Sequence, residues 1–293
     1  MKPSFIQATE EMQTVAREAY AVGAHPSKSG NASLVVDAKA DDLPRLQDGK
    51  VFPLVGKPLS EIRNQLFLIT ASSQRLSRVG DADTVDKLGV VAGLAKVAED
   101  GNSVQQVWGF NNNTGERLTS EYETHLRVQE AIKTGGVLHA HPLHLNALLY
   151  AGLLSKDNIN QLLWQDAIEG FAYLPNGGAV LPPMVPGSHA IGELTAEHFA
   201  QGKDIVGWDL HGWVAADSKG LDAAWNKMET AEHTAHTRIL ALQARVAANL
   251  IEGTRDTRTR LVDTELITEL LAAFKIGSPQ VLEELKQNRA SRP

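Results

Sequence analysis

The segment Val137-Leu138-His139-Ala140-His141-Pro142 carries two imidazoles two positions apart in an otherwise apolar run. Residues i and i+2 of a strand share a face, so His139 and His141 would present their rings side by side. Such a pair suits a metal held at about 2.0–2.1 Å from each nitrogen. It equally suits two half-buried histidines that each bond the backbone. Pro142 ends the strand and sets the pair beside a loop. The chain has no cysteine, which removes disulfides, thiolate metal sites, iron–sulfur clusters and thiol nucleophiles. Any metal must then rest on His, Asp or Glu. Any covalent nucleophile must be Ser, Thr, Lys or a carboxylate.

A third ligand has to come from elsewhere in the chain. His211, in Trp208-Asp209-Leu210-His211-Gly212-Trp213, lies in a turn between two apolar strand signals. Gly212 permits close backbone approach there, although a histidine in a turn is also at home in water. His144 falls on the first turn of the next helix, where it can face solvent. His125 follows Glu121 by four residues, a spacing that puts both on one helix face. Glu229, Glu232, His233 and His236 gather on a late helix and read best as its solvated face. No His-Glu-x-x-His pattern occurs, so a zinc protease of that type is unsupported.

Three turns offer donors to an anion. Ser29-Gly30-Asn31-Ala32-Ser33 is a glycine turn before a strand, and Thr70-Ala71-Ser72-Ser73 is a hydroxyl-rich turn after one. Thr119-Ser120 stands where a helix begins, and a helix N-terminus leaves backbone N–H groups free. Together they could surround one phosphate; singly, each is ordinary turn or capping chemistry. Neither a Rossmann glycine fingerprint nor a P-loop is present, so no nucleotide is implied.

The elements that would position these groups follow from periodicity. Helical spacing predicts an opening helix over 5–22, with further helices over 143–152, 157–165, 188–201, 221–250 and 263–275. Short apolar runs predict strands at 33–36, 66–70, 137–141, 171–174, 204–208 and 212–216. Asp100-Gly101 between Lys96-Val97-Ala98-Glu99 and Val104-Gln105-Gln106-Val107-Trp108 predicts a hairpin. Ser120 with Glu123 predicts a capping box for a helix running to about Lys133. Residues 37–58 read as a long excursion, and about 278–293 as a frayed polar tail, of one domain over 1–293. Strands and helices mix without strict βαβ alternation, which favours a helix-covered sheet with much antiparallel pairing over a doubly wound fold.

Composition narrows the partners. With 293 residues, 43% apolar and 22% charged, the chain is long enough to bury a large core. A net charge of −7 leaves no electrostatic footprint for nucleic acid or an anionic membrane. The N-terminus lacks a signal h-region, and the most apolar stretch, 137–154, is interrupted by His139, His141, His144 and Asn146. The expectation is a soluble, cytoplasmic protein.

In chain order, Gly30-Asn31-Ala32-Ser33, Thr70-Ala71-Ser72-Ser73, Thr119-Ser120-Glu121, His139-Ala140-His141, the run 163–177, Met184-Val185-Pro186-Gly187, His211-Gly212 and Met228-Glu229-Thr230-Ala231-Glu232 resemble the class II aldolase and adducin family. The likeness spans about 20–275. It implies an α/β domain with a mostly antiparallel central sheet flanked by helices, assembled as a C4 homotetramer with sites at subunit interfaces. It further implies that His139, His141 and His211 bind Zn²⁺ and that Glu121 is the catalytic acid/base. Asn31, Ser72, Ser73, Thr119 and Ser120 would hold a substrate phosphate, with Lys28 a candidate additional cation. Glu169 would reach the site from a neighbouring subunit.

The implied reaction cleaves a ketose 1-phosphate to dihydroxyacetone phosphate and an aldehyde through an enediolate that the metal stabilises. The interval from His141 to His211 matches the branch acting on L-rhamnulose 1-phosphate, which would release L-lactaldehyde. Three departures bear on the sugar. Lys28 stands in place of an Asn, Ser73 in place of a Gly, and the Glu121–His139 interval is short for that branch. A pentulose-phosphate 4-epimerase and a metal-free, adducin-like interaction module are the other activities the same resemblance allows.

Overall fold

The computed structural model describes residues 2–111 and 117–252, together with Glu269. The apolar runs become β1 (Asn31–Val36), β2 (Val51–Pro53), β3 (Leu66–Thr70), β4 (Ala92–Val97), β5 (Ser103–Gly109), β6 (Gly136–Ala140), β7 (Gly178–Leu181), β8 (Ile205–Trp208) and β9 (Gly212–Asp217). The helices are α1 (Phe5–Ala21), α2 (Leu76–Gly80), α3 (Val85–Val91), α4 (Tyr122–Ile132), α5 (Leu143–Tyr150), α6 (Ile159–Gln165), α7 (Glu169–Tyr173), α8 (His189–Ala200) and α9 (Leu221–Glu252). The strands form one sheet in the order β2-β5-β4-β3-β1-β6-β9-β8-β7. Every neighbouring pair is antiparallel except β7–β8, which is parallel. The expected α/β architecture, a mostly antiparallel central sheet flanked by helices, is what the chain adopts.

Period-two alternation sorts the side chains onto two covered faces. Ala32, Leu34, Leu66, Leu68, Leu138, Ala140, Trp213 and Ala215 pack under α1, α5 and α9. Val35, Phe67, Ile69, Val137, Val206, Trp208 and Val214 face the other way, toward α4, α8 and the segment 54–62. Each fully buried Leu, Val or Phe contributes about 1.5–3 kcal/mol, and a polar group on such a surface must find a partner. Beneath α4 that side carries Asn31 and Ser33 from β1, and His139 from β6, paired in register with Asn31. That polar island in an apolar face is where α4 lays Glu121 and His125.

Several local expectations change. Residues 171–174 are not a strand but lie largely within helix α7; a short apolar run does not distinguish the two states. The indole N–H of Trp164 donates to the Leu174 carbonyl at 2.9 Å and secures the end of this helix. The strand of this region is β7, slightly later. The excursion 37–58 contains β2, a sheet-edge strand where Pro53 is tolerated, and α2 and α3 carry no strong periodic signal because they are so short. The Ser120–Glu123 capping box does not form. Glu121 is the N-cap of α4, with no side-chain capping bond. Glu123 instead accepts from the Val55 N–H at 3.1 Å and from His189 Nδ1 at 2.7 Å. The expected hairpin is present, with Gly101 at φ 73° in its turn. The helix predicted over 263–275 and the tail over 278–293 lie outside the described residues. No helix among the described residues is long and apolar enough to cross a membrane.

Candidate active site

His139 sits on β6 with 1% of its surface exposed, and Trp213 of the neighbouring β9 supplies the carbonyl 3.0 Å from its Nδ1. That bond puts the proton on Nδ1 and leaves the Nε2 lone pair free. His141 lies just past the strand end, its backbone N–H donating to Ala24 O at 2.7 Å. The i, i+2 spacing brings the two Nε2 atoms to 3.1 Å.

The third imidazole arrives through the tight β8–β9 turn. Leu210 adopts φ 58° there, and His211 donates its backbone N–H to Trp208 O at 3.0 Å. The Asn146 amide donates to the His211 carbonyl at 3.3 Å. Ring centroids are 4.9 Å apart for His139–His141, 4.9 Å for His139–His211 and 5.0 Å for His141–His211. One ligand atom from each ring lies within 4.8 Å of the others. Buried Trp208 stacks on His139 at 4.6 Å and on His211 at 5.1 Å, forming a wall behind two of the three rings. Gly212 completes the site sterically. A Cβ there would lie 2.8 Å from His139 Cε1, 3.0 Å from His141 Cδ2 and 2.6 Å from Ala140 O.

Electrostatics match the geometry. Burial and the neighbouring rings hold His139 well below its ordinary pKa, and bring His141 down to about 4. Burial lowers His211 as well. Three neutral imidazoles with converging nitrogens form a donor set suited to a divalent cation. His211 Nδ1 is buried without a hydrogen-bond partner among the described residues.

Glu121 closes the site from the α4 side. Free of any capping duty, its carboxylate reaches inward, with Oε2 at 3.5 Å from His139 Nε2 and Oε1 at 3.6 Å from His211 Nε2. Burial pushes its pKa up to about 7, against the stabilising hydrogen bond from the Asn31 amide at 2.9 Å. A carboxyl group so placed can hold or release a proton near neutrality.

The three donor turns converge beside Glu121. Thr70 Oγ1 accepts from the Ala32 N–H at 3.2 Å, and Thr70 O accepts from the Thr119 N–H at 3.0 Å. Ser72 N–H donates to Arg117 O at 2.9 Å, so the turns at 70–73 and 117–120 are tied together. Thr119 is buried, Ser72 is partly open, and Ser73, Ser120 and Lys28 are exposed at the rim. Ser73 adopts φ 61°, the left-handed conformation that a glycine enters more easily. Gly187 abuts Ser120, whose carbonyl would lie 2.7 Å from an added Cβ. That contact gives Met184-Val185-Pro186-Gly187 its place in the pattern.

Other candidates fall elsewhere. Glu169 is exposed on the first turn of α7 and is not brought to the imidazoles within this chain. His144 does not simply face solvent. Its Nδ1 meets Glu232 Oε1 at 2.7 Å, and its ring stacks on His236 at 3.9 Å. Glu232 also accepts the His144 and Leu145 N–H groups, so it caps α5 instead of solvating α9. His233 and His236 are exposed, as expected. Two more histidines are buried, of which His25 carries no sequence signal while His125 follows Glu121 at helical spacing. His25 packs beneath Gly30, where burial and His141 lower its pKa to about 3. His125 bonds both Asn31 and Ser33.

Residues 10–239 match the family model described as Class II Aldolase and Adducin N-terminal domain. The chain is 32% identical over 275 residues to rhamnulose-1-phosphate aldolase of Klebsiella pneumoniae, covering 91% of each protein. It is 30% identical over 242 residues to rhamnulose-1-phosphate aldolase of Listeria monocytogenes, covering 80% of this chain and 84% of that one. Among solved structures, a sugar-phosphate aldolase from Thermotoga maritima superposes with a TM-score of 0.63 at 24% identity, over 86% of this chain and 98% of that one. L-Fuculose-1-phosphate aldolase from Thermus thermophilus superposes with a TM-score of 0.52 at 21% identity, over the same shares. These superpositions establish the shared fold.

Proposed function

Because this chain belongs to the class II aldolase and adducin family, we propose that it is a zinc-dependent aldolase that cleaves L-rhamnulose 1-phosphate, or a closely related ketose 1-phosphate. The products are dihydroxyacetone phosphate and L-lactaldehyde. The observation that carries the reading is the meeting of three imidazoles with the buried carboxyl group of Glu121, 3.5 Å from His139 Nε2 and 3.6 Å from His211 Nε2. The curated relatives described above are named for this substrate, which supports the choice of sugar.

His139, His141 and His211 are the ligands in this reading. Three uncharged nitrogen donors suit Zn²⁺ and leave its charge undiminished. Such a cation supplies Lewis acidity for the negative charge that develops on the substrate oxygens, worth several kcal/mol. Ser72, Ser73, Ser120 and Thr119, with Asn31 at the first turn and Lys28 at the rim, take the phosphate. Binding energy from that remote group helps the reacting bond. In cleavage the C4 hydroxyl gives its proton to solvent water as the C3–C4 bond breaks, and C4 leaves as the aldehyde. The electron pair left on C3 spreads to the C2 oxygen. Glu121 gives its proton to C3 to complete dihydroxyacetone phosphate, and takes it back for the reverse condensation. Glu169 completes the site of an adjoining subunit in a homotetramer. The protein works as a soluble cytoplasmic enzyme.

The test couples released dihydroxyacetone phosphate to NADH oxidation by glycerol-3-phosphate dehydrogenase. Cleavage of L-rhamnulose 1-phosphate should disappear on chelation and return with Zn²⁺. A zinc-loaded protein that releases no dihydroxyacetone phosphate from any ketose 1-phosphate would overturn the reading. So would inactivation by borohydride in the presence of substrate, which marks an imine on lysine.

A further inference from the structure

We propose that His125 is a positioning residue for Glu121, acting through the side-chain amide of Asn31. The inference deepens the aldolase reading, and its kinetic arm rests on that reading. The geometry itself stands without it.

The Glu121 carboxylate lies 2.9 Å from Asn31 Nδ2, so the amide turns its N–H toward Oε2 and its oxygen away. Asn31 Oδ1 lies 2.5 Å from His125 Nε2. An amide oxygen has no hydrogen, so Nε2 must donate. The other nitrogen of the neutral ring is then bare and must accept. Ser33 Oγ lies 2.8 Å from Nδ1 and donates its hydroxyl proton. With Glu121 ionised, each donor in the chain Ser33–His125–Asn31–Glu121 therefore has one assignment.

Burial makes the assignment binding. His125 and Ser33 are each 1% exposed, Asn31 8% and Glu121 5%. Water is not at hand to replace a lost partner, and an orphaned buried donor or acceptor costs about 1–3 kcal/mol. Were the Asn31 amide to flip, its oxygen would face the carboxylate, two acceptors together. The His125 Nε2–H is what opposes that flip. Asn31 and Ser33 share a face of β1 at i and i+2, while Glu121 and His125 are one turn apart at the start of α4. The chain of bonds thus locks the carboxylate of a helix N-cap to the sheet that carries His139.

Two substitutions separate positioning from packing. His125→Gln keeps a donor near the Nε2 position, facing Asn31. His125→Asn keeps polarity only near Nδ1, facing Ser33. With metal content close to wild type, kcat should fall about 10²-fold in H125N and stay within about threefold in H125Q, the scale expected of a misdirected catalytic group. A second measurement needs no substrate. The ¹⁵N–¹H spectrum of the native protein should show His125 as the neutral Nε2–H tautomer, and should keep doing so if the aldolase assay fails. An Nδ1–H tautomer, or an H125N protein with wild-type kcat, would overturn the proposal. If neither variant folds, the tautomer decides it.

Discussion

Replacing Gly212 by Ala tests the imidazole site most sharply, because the perturbation is one methyl group. Gly212 does not need glycine for its backbone dihedrals; what it needs is space. The new Cβ would stand 2.6 Å from the Ala140 carbonyl oxygen, 2.8 Å from His139 Cε1 and 3.0 Å from His141 Cδ2. Ordinary contact begins near 3.5 Å, so several tenths of an ångström must be found against each neighbour. Ala140 O belongs to the strand paired with β9 and resists displacement. His139 is held by Trp213 O on one side and by the Trp208 ring on the other. His141, with fewer restraints, has to yield, and its nitrogen leaves the position 3.1 Å from His139 Nε2. Overpacking of this kind costs about 1–3 kcal/mol. Disturbing ligand orientation costs about 10–100-fold in metal affinity. Zinc competition against a chromogenic chelator measures the second quantity, and thermal unfolding in excess chelator measures the first. A G212A protein that binds zinc as tightly as wild type would show that the three rings do not act as one site.

Three further outcomes are expected. Glu121→Gln, which keeps shape and the bond from Asn31, should retain zinc while kcat drops about 10²–10⁴-fold; unaltered turnover would remove Glu121 from the chemistry. Chelated protein should lose stability on acidification from pH 6.5 toward 4. Buried His25 and His125 have folded pKa values near 3, so the unfolded chain takes up protons first, at a cost of about 2 kcal/mol each at pH 5. Glu121, raised to about 7, works in the opposite sense, losing stability as pH rises from 4.5 through 7, but it offsets only one proton. A melting temperature that is flat or rising between pH 6.5 and 4 would contradict this. Gly89→Ala, in the middle of α3 with its nearest neighbour at 3.4 Å, should stabilise the protein by about 0.5–1 kcal/mol in denaturant titration; destabilisation would mean that the Trp108 ring does not yield to the added methyl group.

The parts of the site that could be read from the chain are those with a fixed period. His139 and His141 are two apart in a strand, so their shared side follows from the pleat alone. His211 is different. Its turn could be located, but its approach to the pair depends on β9 lying beside β6, a pairing between distant segments that no local pattern encodes. The same limit applies to the donor turns, which meet because Thr70 bonds both Ala32 and Thr119. Ser120 and Glu123 had the spacing of a capping box, yet Glu123 found better partners in Val55 and His189. Tertiary contacts overrode the local rule. His125 was visible as a neighbour of Glu121 by helical spacing, but its link to Asn31 required β1 and α4 to be packed together.

The provenance of the three imidazoles has a consequence for assembly. Two come from the end of β6 and the third from the start of the adjacent β9, so the complete donor set does not exist until these remote segments have paired. A nascent chain offers a cation at most the 139/141 couple, a weak bidentate foothold. Full coordination is thus a late event that rewards a finished sheet, unlike the small zinc modules whose folding the ion itself directs. Once seated, the ion would rivet neighbouring strands at their ends, and its departure would loosen that corner of the molecule first.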